Sequence, residues 1–244
     1  MERNYARPVI FETNDYYHLA ATGFFFSFKG NNYFVTAHHI LKNNSYTYEQ
    51  LRVPVDPWKN SMNFIHLGYG KVLENDKDDN TDYYDFMIFD VDDEKSLSEL
   101  NQCVLPLQRL NDEDFCVGTS QDIVIIGFPT CLVDYSNVNV NVNMVQYTYG
   151  ILKVTEISPF FPGKKYSECA EWRVKVNTNE KIGEYNGFSG APVLLFRPQE
   201  EPRILGMVVR GEAETHTMNF IRAELFILKF LAEVKNVPSL PRSM

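Results

Sequence analysis

The sequence has little of what several classes of protein require. Its 244 residues include only four cysteines, Cys103, Cys116, Cys131 and Cys169. None of them forms a CxxC pair or stands at zinc-ligand spacing from a histidine. No apolar run approaches the roughly 18 residues that a membrane-spanning helix needs. The chain starts with a polar, mixed segment and not with the basic and then apolar pattern of a signal peptide. We therefore expect a cytoplasmic protein whose thiols are reduced and mostly buried.

Positive charge is also scarce. The chain carries 23 Lys plus Arg against 32 Asp plus Glu, a formal net charge of −9. Because phosphate backbones and anionic membranes reward clustered cations, this balance argues against a general nucleic-acid binder and against a membrane-surface protein. Acidic residues concentrate between Glu74 and Asp85. A solvated loop is the expectation there; calcium binding is the alternative, but the run lacks EF-hand spacing.

Strand signals dominate the first 220 residues. Two aromatic and β-branched runs flank Lys29-Gly-Asn-Asn32, which predicts a β-hairpin over 23–37. Further short strands are predicted at Asp85–Val91, Asp122–Gly127, Tyr149–Thr155, Trp172–Asn177, Pro192–Phe196 and Ile204–Val209. The alternating segment Asn137–Asn143 fits either an exposed strand or a solvated loop. Helix formers from Ala223 to Lys235, followed by Pro238, predict one terminal helix. The pattern favours an all-β sandwich or barrel.

One serine has the surroundings of a nucleophile. The segment Gly187-Phe-Ser-Gly-Ala-Pro192 is a tight turn that holds Ser189 directly before a buried strand. Glycines there allow two backbone N–H groups to converge beside the hydroxyl, as an oxyanion hole requires. A serine also needs a histidine base, and that base needs a carboxylate to orient it. The sequence offers both, each beside an apolar strand.

These segments, in the order His, Asp, Ser, resemble the trypsin-like (chymotrypsin-fold) serine peptidases, and the resemblance covers most of the chain. Thr22-Gly-Phe-Phe25 is similar to that family's first-barrel strand. Val35-Thr-Ala-His-His39 matches its Val-Thr-Ala-x-His pattern, which implies that His39, and not His38, is the base. Asp85 matches the aspartate that opens a short apolar strand, and Ser189 matches the serine of Gly-x-Ser-Gly-x-Pro.

The resemblance implies an all-β, chymotrypsin-like double β-barrel with a C-terminal α-helix. Residues 1–110 would form the barrel that carries His and Asp, residues 111–221 the barrel that carries Ser, and residues 222–235 the helix of one catalytic unit. The implied activity is that of a serine endopeptidase working through an acyl-enzyme without metal or cofactor. Its oxyanion hole would be the N–H groups of Gly187 and Ser189.

The expected partners are a protein or peptide substrate and a regulatory protein, because an intracellular peptidase needs narrow specificity or gating. A catalytically silent chymotrypsin-fold binding module is the alternative. An α/β-hydrolase is excluded because Ala191 stands where its elbow needs glycine, and because its residue order differs.

The chain departs from the family pattern in several places. Phe188 stands where many relatives carry an aspartate that pairs with a new N-terminus, so activation by that ion pair is not expected. The pocket candidates are Gly183, Val209, Arg210 and Gly211. Gly183, at the pocket base, carries no acid, so a preference for Lys or Arg is not supported. Arg210 instead suggests an acidic residue before the scissile bond, and His216 is a further candidate for substrate contact.

Overall fold

The strands of this protein fall into two sheets. The computed structural model describes residues 5–13, 17–44, 46–55, 63–68, 70–72, 85–91, 98, 100, 103–133, 148–160, 171–177 and 182–223. The first sheet contains β1 (Ala6–Glu12), β2 (Tyr17–Phe28), β3 (Asn31–Thr36), β4 (Leu51–Arg52), β5 (Gly70–Val72), β6 (Met87–Asp90) and β7 (Leu105–Pro106). The second contains β8 (Asp122–Gly127), β9 (Gly150–Pro159), β10 (Glu171–Val176), β11 (Pro192–Phe196), β12 (Arg203–Glu212) and β13 (Thr217–Arg222).

The first sheet is open. Its strand order is β4-β1-β2-β3-β6-β5, with β7 added in parallel to β2. Lys29 and Gly30 join β2 to β3 with positive φ angles of 51° and 82°, which is the type I′ geometry that suits the right-handed twist of a hairpin. This confirms the predicted hairpin. One short helix, α1 (His39–Asn44), follows β3, and 3₁₀ turns lie at Tyr48–Gln50, Asp112–Phe115 and Thr130–Leu132.

The second sheet closes into a six-stranded barrel in the order β10-β13-β12-β11-β8-β9. Alternating residues fill its interior, as the strand period of two requires, with Ile125, Val174 and Phe220 each no more than 1% exposed. A separate apolar cluster joins the two sheets, because it contains Phe24 and Phe26 of β2 together with residues of β8, β11 and β12. The sheets therefore pack on one another through a shared core.

The all-β architecture of two sheets agrees with the prediction. The predicted strands at Asp122–Gly127 and Pro192–Phe196 have the same bounds in the structure. Strands β1 and β13 were not predicted. The predicted C-terminal helix, the segment Asn137–Asn143 and the acidic run before Asp85 lie almost wholly outside the described residues. The division at residue 110 stays a prediction. Within the described residues, no helix is long and apolar enough to cross a membrane.

The expectation of mostly buried cysteines is wrong for the described ones. Cys116 and Cys131 are exposed and Cys103 is half-buried, and none of the three is in a disulfide. The physical reason is their placement. Cys131 lies in a 3₁₀ turn, Cys116 caps the end of another, and Cys103 is in the turn before β7, so none of them points from a strand into a core. Cys169 lies outside the described residues.

Candidate active site

The pairing of β3 with β6 brings His39 to Asp85. Thr36 is the register partner of Met87, so the residues just after β3 meet those just before β6. One carboxylate oxygen of Asp85 accepts a hydrogen bond from the backbone N–H of His39 at 2.7 Å, and the other lies 2.5 Å from His39 Nδ1. The backbone of the same segments is tied by the His38 N–H, which donates to the Asp85 carbonyl at 3.4 Å.

This double contact fixes both the position and the tautomer of the imidazole. A carboxylate only accepts hydrogen bonds, so the proton of a neutral His39 ring resides on Nδ1 and leaves Nε2 as the acceptor. The side chains of His39 and Asp85 are 31% and 16% exposed. The His39 ring is thus held from one side and accessible from the other, which suits a base that receives a proton.

Two glycines with positive φ angles shape the loop that carries Ser189. The Phe188 N–H donates to the Tyr185 carbonyl at 3.1 Å, and Gly187, at the third position of that turn, has φ +92°. A positive φ at this position defines a type II turn and calls for glycine. Gly190, with φ +84°, follows Ser189, and its N–H donates to Val208 of β12. The glycines are therefore required by the backbone path around the serine.

Two backbone amides beside Ser189 are left without an acceptor. Within the described residues the N–H groups of Gly187 and Ser189 donate to nothing, whereas those of Phe188 and Gly190 are both bonded. Their directions are fixed through the carbonyls of the same planar peptides, since N–H and C=O point oppositely in a trans peptide. Asn186 O accepts from Thr130 N at 2.9 Å, and Phe188 O accepts from Ala191 N at 2.8 Å. Both free N–H groups therefore point away from those partners.

The serine loop is seated against the strands that lead to His39. The Thr22 N–H donates to the Ser189 carbonyl at 2.9 Å. A Cβ on Gly190 would overlap the Thr22 carbonyl oxygen and lie 2.7 Å from Thr36 Oγ1 and 3.0 Å from the nitrogen of Ala37. The structure thus brings the backbone of the Ser189 turn to Ala37, which directly follows β3 and lies two residues before His39. Among the hydrogen bonds of the described residues, none joins the Ser189 hydroxyl to the His39 ring.

The buried ring of Phe188 fixes the same loop to the closed barrel. Its ring is 1% exposed and lies on two glycines, Gly127 and Gly150, that face each other across β8 and β9. A Cβ on Gly127 would lie 2.5 Å from the ring, and one on Gly150 would lie 3.2 Å from it. An apolar contact therefore occupies the place where the family pattern has an ion-pairing aspartate.

The predicted pocket residues have different surroundings. Gly183 is exposed, with open space where a side chain would stand. Val209 is 1% exposed and packs in the core shared by the two sheets, so its side chain does not line a pocket. Gly211 lies against Tyr185, because a Cβ there would be 2.9 Å from that ring. Burial raises the pKa of Tyr185, and its hydroxyl lies 3.4 Å from Nδ1 of His216.

Arg210 belongs to a row of polar residues across three strands. Asn219 of β13 is the register partner of both Arg210 in β12 and Arg173 in β10, so the three side chains share one face of the barrel. Arg173 donates to the Asn219 side chain at 3.1 Å, and its guanidinium lies 3.9 Å from the centre of the Phe160 ring. Arg210 is exposed and lies 6.0 Å from that ring. Two guanidinium groups thus lie around the Phe160 ring.

Sequence reasoning missed Thr22 and Tyr185 as site residues. Thr22 is fully buried and hydrogen-bonded to the serine loop. Tyr185 packs against Gly211 of β12. The one available signal for Thr22 was a polar residue inside an apolar strand, directly before a glycine.

The geometry defines a protein of chymotrypsin-like fold, in which an open half-barrel carries the His–Asp pair and a closed six-stranded barrel carries the serine turn. No family model matches the sequence, and no curated protein matches it. Among solved structures, a Glu endopeptidase in complex with MPD is similar, with a TM-score of 0.52 and 13% sequence identity. The match covers 96% of this chain and 91% of that chain. At this identity the likeness establishes the fold alone.

Proposed function

We propose that the protein is a serine endopeptidase whose catalytic residues are His39, Asp85 and Ser189. The observation that carries the proposal is the double contact of Asp85 with the backbone N–H and the ring Nδ1 of His39. A carboxylate placed in this way makes Nε2 the ring nitrogen that accepts a proton, and it stabilises the imidazolium that results. The serine loop, seated against Thr22 and Ala37, supplies the nucleophile on the adjoining barrel.

In the proposed reaction Ser189 Oγ attacks the carbonyl carbon of a peptide bond. His39 Nε2 takes the hydroxyl proton and delivers it to the leaving amine, which leaves an acyl-enzyme on Ser189. Water, activated by His39, then releases the acid product. The N–H groups of Gly187 and Ser189, which have no acceptor within the described residues, stabilise the oxyanion of both tetrahedral intermediates. The scheme calls on no metal or cofactor.

The missing Ser189–His39 hydrogen bond is compatible with this scheme, because such bonds are often long before substrate binds and shorten in the complex. The alternative is a catalytically silent binding module of the same fold. Two free amides and a correctly oriented imidazole favour the peptidase, since a binding surface has no need of either.

We propose further that substrates carry an acidic side chain on the N-terminal side of the scissile bond. Arg210 and Arg173 flank Asn219 on one face, next to the part of β12 that follows the bond between Gly190 and Val208. A carboxylate placed there would meet one or two guanidinium groups, which bind it in a bidentate manner. The similar solved structure is named as a Glu endopeptidase. A peptide library cut equally well after apolar and acidic residues would contradict this preference.

Labelling with a fluorophosphonate tests the activity. The folded protein should be labelled at Ser189, as located by mass spectrometry of the adduct, while Ser189→Ala and the denatured protein should remain unlabelled. A folded protein that stays unlabelled and cleaves no member of a peptide library would favour the silent binding module. We propose also that the peptidase has narrow specificity or is controlled by a partner, and that it acts in the cytoplasm.

A further inference from the structure

One buried hydroxyl joins the histidine-bearing sheet to the serine loop. Thr22 lies in β2 and is fully buried. Its Oγ1 donates to the Gly187 carbonyl at 2.7 Å and accepts from the Phe128 N–H at 2.9 Å. Its backbone N–H donates to the Ser189 carbonyl at 2.9 Å, and its own carbonyl accepts from Thr36 Oγ1 at 2.7 Å. Every polar atom of this residue is therefore used, and two of its bonds end on the serine loop.

The peptide that Thr22 holds lies between the two free amides. The free N–H of Gly187 belongs to the peptide before it, and the free N–H of Ser189 belongs to the peptide after it. The carbonyls of these two outer peptides are bonded within the second barrel, to Thr130 and to Ala191. The carbonyl of the middle peptide, that of Gly187, is bonded by the hydroxyl of a residue from the other sheet. Rotation of the middle peptide would reorient both neighbours.

We infer that Thr22 is a positioning residue, whose hydroxyl holds the middle peptide so that the N–H groups of Gly187 and Ser189 converge. The inference rests on the proposed function for its catalytic consequence. Thr22 itself does not touch the substrate. Its removal takes the donor away from the buried Gly187 carbonyl and also removes the bond that Thr22 Oγ1 accepts from the Phe128 N–H. The cheapest relief is rotation of the middle peptide, which a glycine permits.

Matched variants separate this role from packing. Thr22→Val keeps the shape and removes the hydroxyl, while Thr22→Ser keeps the hydroxyl. Thr36→Val is the control, since it removes a second buried threonine hydroxyl bond of 2.7 Å that ends on Thr22 and not on the loop. We expect Thr22→Val to lower kcat for a peptide substrate at least tenfold with KM little changed, because the oxyanion forms only in the transition state. Thr22→Ser should retain the rate, and Thr36→Val should lose much less.

A structural readout accompanies the kinetics. The amide resonance of Gly187 in ¹⁵N NMR spectra should shift in Thr22→Val and stay in place in Thr22→Ser and Thr36→Val. If Thr22→Val and Thr36→Val slow the reaction equally, or if Thr22→Val reacts at the native rate, the inference is overturned. If Thr22→Val does not fold, Thr22→Cys decides, because a thiol is a weak donor of similar size; reaction at the native rate then overturns it.

The two proposals fail in different ways. A native protein that no fluorophosphonate labels would refute the peptidase, whereas the Gly187 resonance would still show whether the Thr22 hydroxyl holds the loop. An active native protein with an unmoved Gly187 resonance in Thr22→Val would refute the positioning role alone.

Discussion

Replacing Gly190 by alanine tests whether the serine loop is seated against the first sheet. Gly190 has φ +84°, and a Cβ there would overlap the Thr22 carbonyl and lie 2.7 Å from Thr36 Oγ1. These obstacles include backbone, which cannot turn aside as a flexible side chain would. The chain also offers a matched control. Gly30 has φ +82° in the β2–β3 turn, and a Cβ there would meet nothing within 4 Å.

The two substitutions share one cost and differ in another. An alanine in the left-handed region costs roughly 1–2 kcal/mol at either position. Gly190→Ala adds the cost of an extra methyl in a packed interior, about 1–3 kcal/mol. We therefore expect Gly190→Ala to be the less stable variant by about 1–3 kcal/mol, which is roughly 2–12 °C in Tm for a protein of this size. The displaced loop should also slow fluorophosphonate labelling by about 10²-fold, since a misplacement of about 1 Å can cost that much.

Urea denaturation of both variants measures the stability difference, and the time course of labelling under native conditions measures the displacement. Gly30→Ala should label at the native rate. The reasoning is refuted if the two variants have the same free energy of unfolding and the same labelling rate. The loop would then accommodate a methyl group at Gly190, which the contacts with Thr22 and Thr36 exclude.

Three further predictions concern single residues. Phe188→Ala should lower the free energy of unfolding by about 3–5 kcal/mol, because it leaves a cavity where the ring packs on two glycines. Urea denaturation measures this loss. Phe188→Leu should lower the free energy of unfolding by less, and an equal loss in the two variants would contradict the ring contact. Asp85→Asn should lower kcat by about 10⁴ with KM little changed, because the amide no longer fixes the His39 tautomer; steady-state kinetics with an intact fold is the check, and a loss confined to KM would count against it. Burial lowers the pKa of His18, so the folded state resists protonation. The stability that His18 contributes is full above its unfolded pKa of about 6.5 and is lost as the pH falls below it. His18→Phe should therefore show a smaller fall in unfolding free energy between pH 7.5 and pH 5, and an unchanged profile would refute this.

The strands that sequence reasoning found are those whose signals are local. The β2–β3 hairpin combines two aromatic runs with a Lys-Gly turn, and β8 and β11 are short apolar runs with clear ends. The strand β1 contains Pro8, which argues against a strand. It is tolerated because the neighbouring β4 pairs only with Ile10 and Phe11 and does not reach Pro8. The apolar pattern of β13 is interrupted by Asn219, whose partner Arg173 lies 46 residues away.

In the candidate site, too, the residues with local sequence signals could be predicted and those that depend on distant contacts could not. Motif spacing predicted that His39 and Asp85 belong together, and the hydrogen bonds between them place them so. The proposed role of Thr22 could not be predicted, because its hydroxyl meets partners 106 and 165 residues further along the chain. For Val209 the family pattern predicted a role that its side chain does not have. Its position in the family pattern suggested a pocket wall, but the register shift between Val208 and Arg210 places its side chain in the shared core.

The bond between Thr22 and Gly187 also has a consequence in time. A carbonyl whose donor comes from a strand 165 residues earlier has no partner until both sheets have formed and docked. Each sheet can bury its own apolar cluster before that moment, but the serine loop is held only after it. In a Trp58→Phe variant the tryptophan fluorescence comes from Trp172 alone, which stacks on Phe115 of the closed barrel. During refolding of that variant, this fluorescence should therefore recover before reactivity at Ser189. The lag between the two signals would measure the docking of the two halves of the molecule.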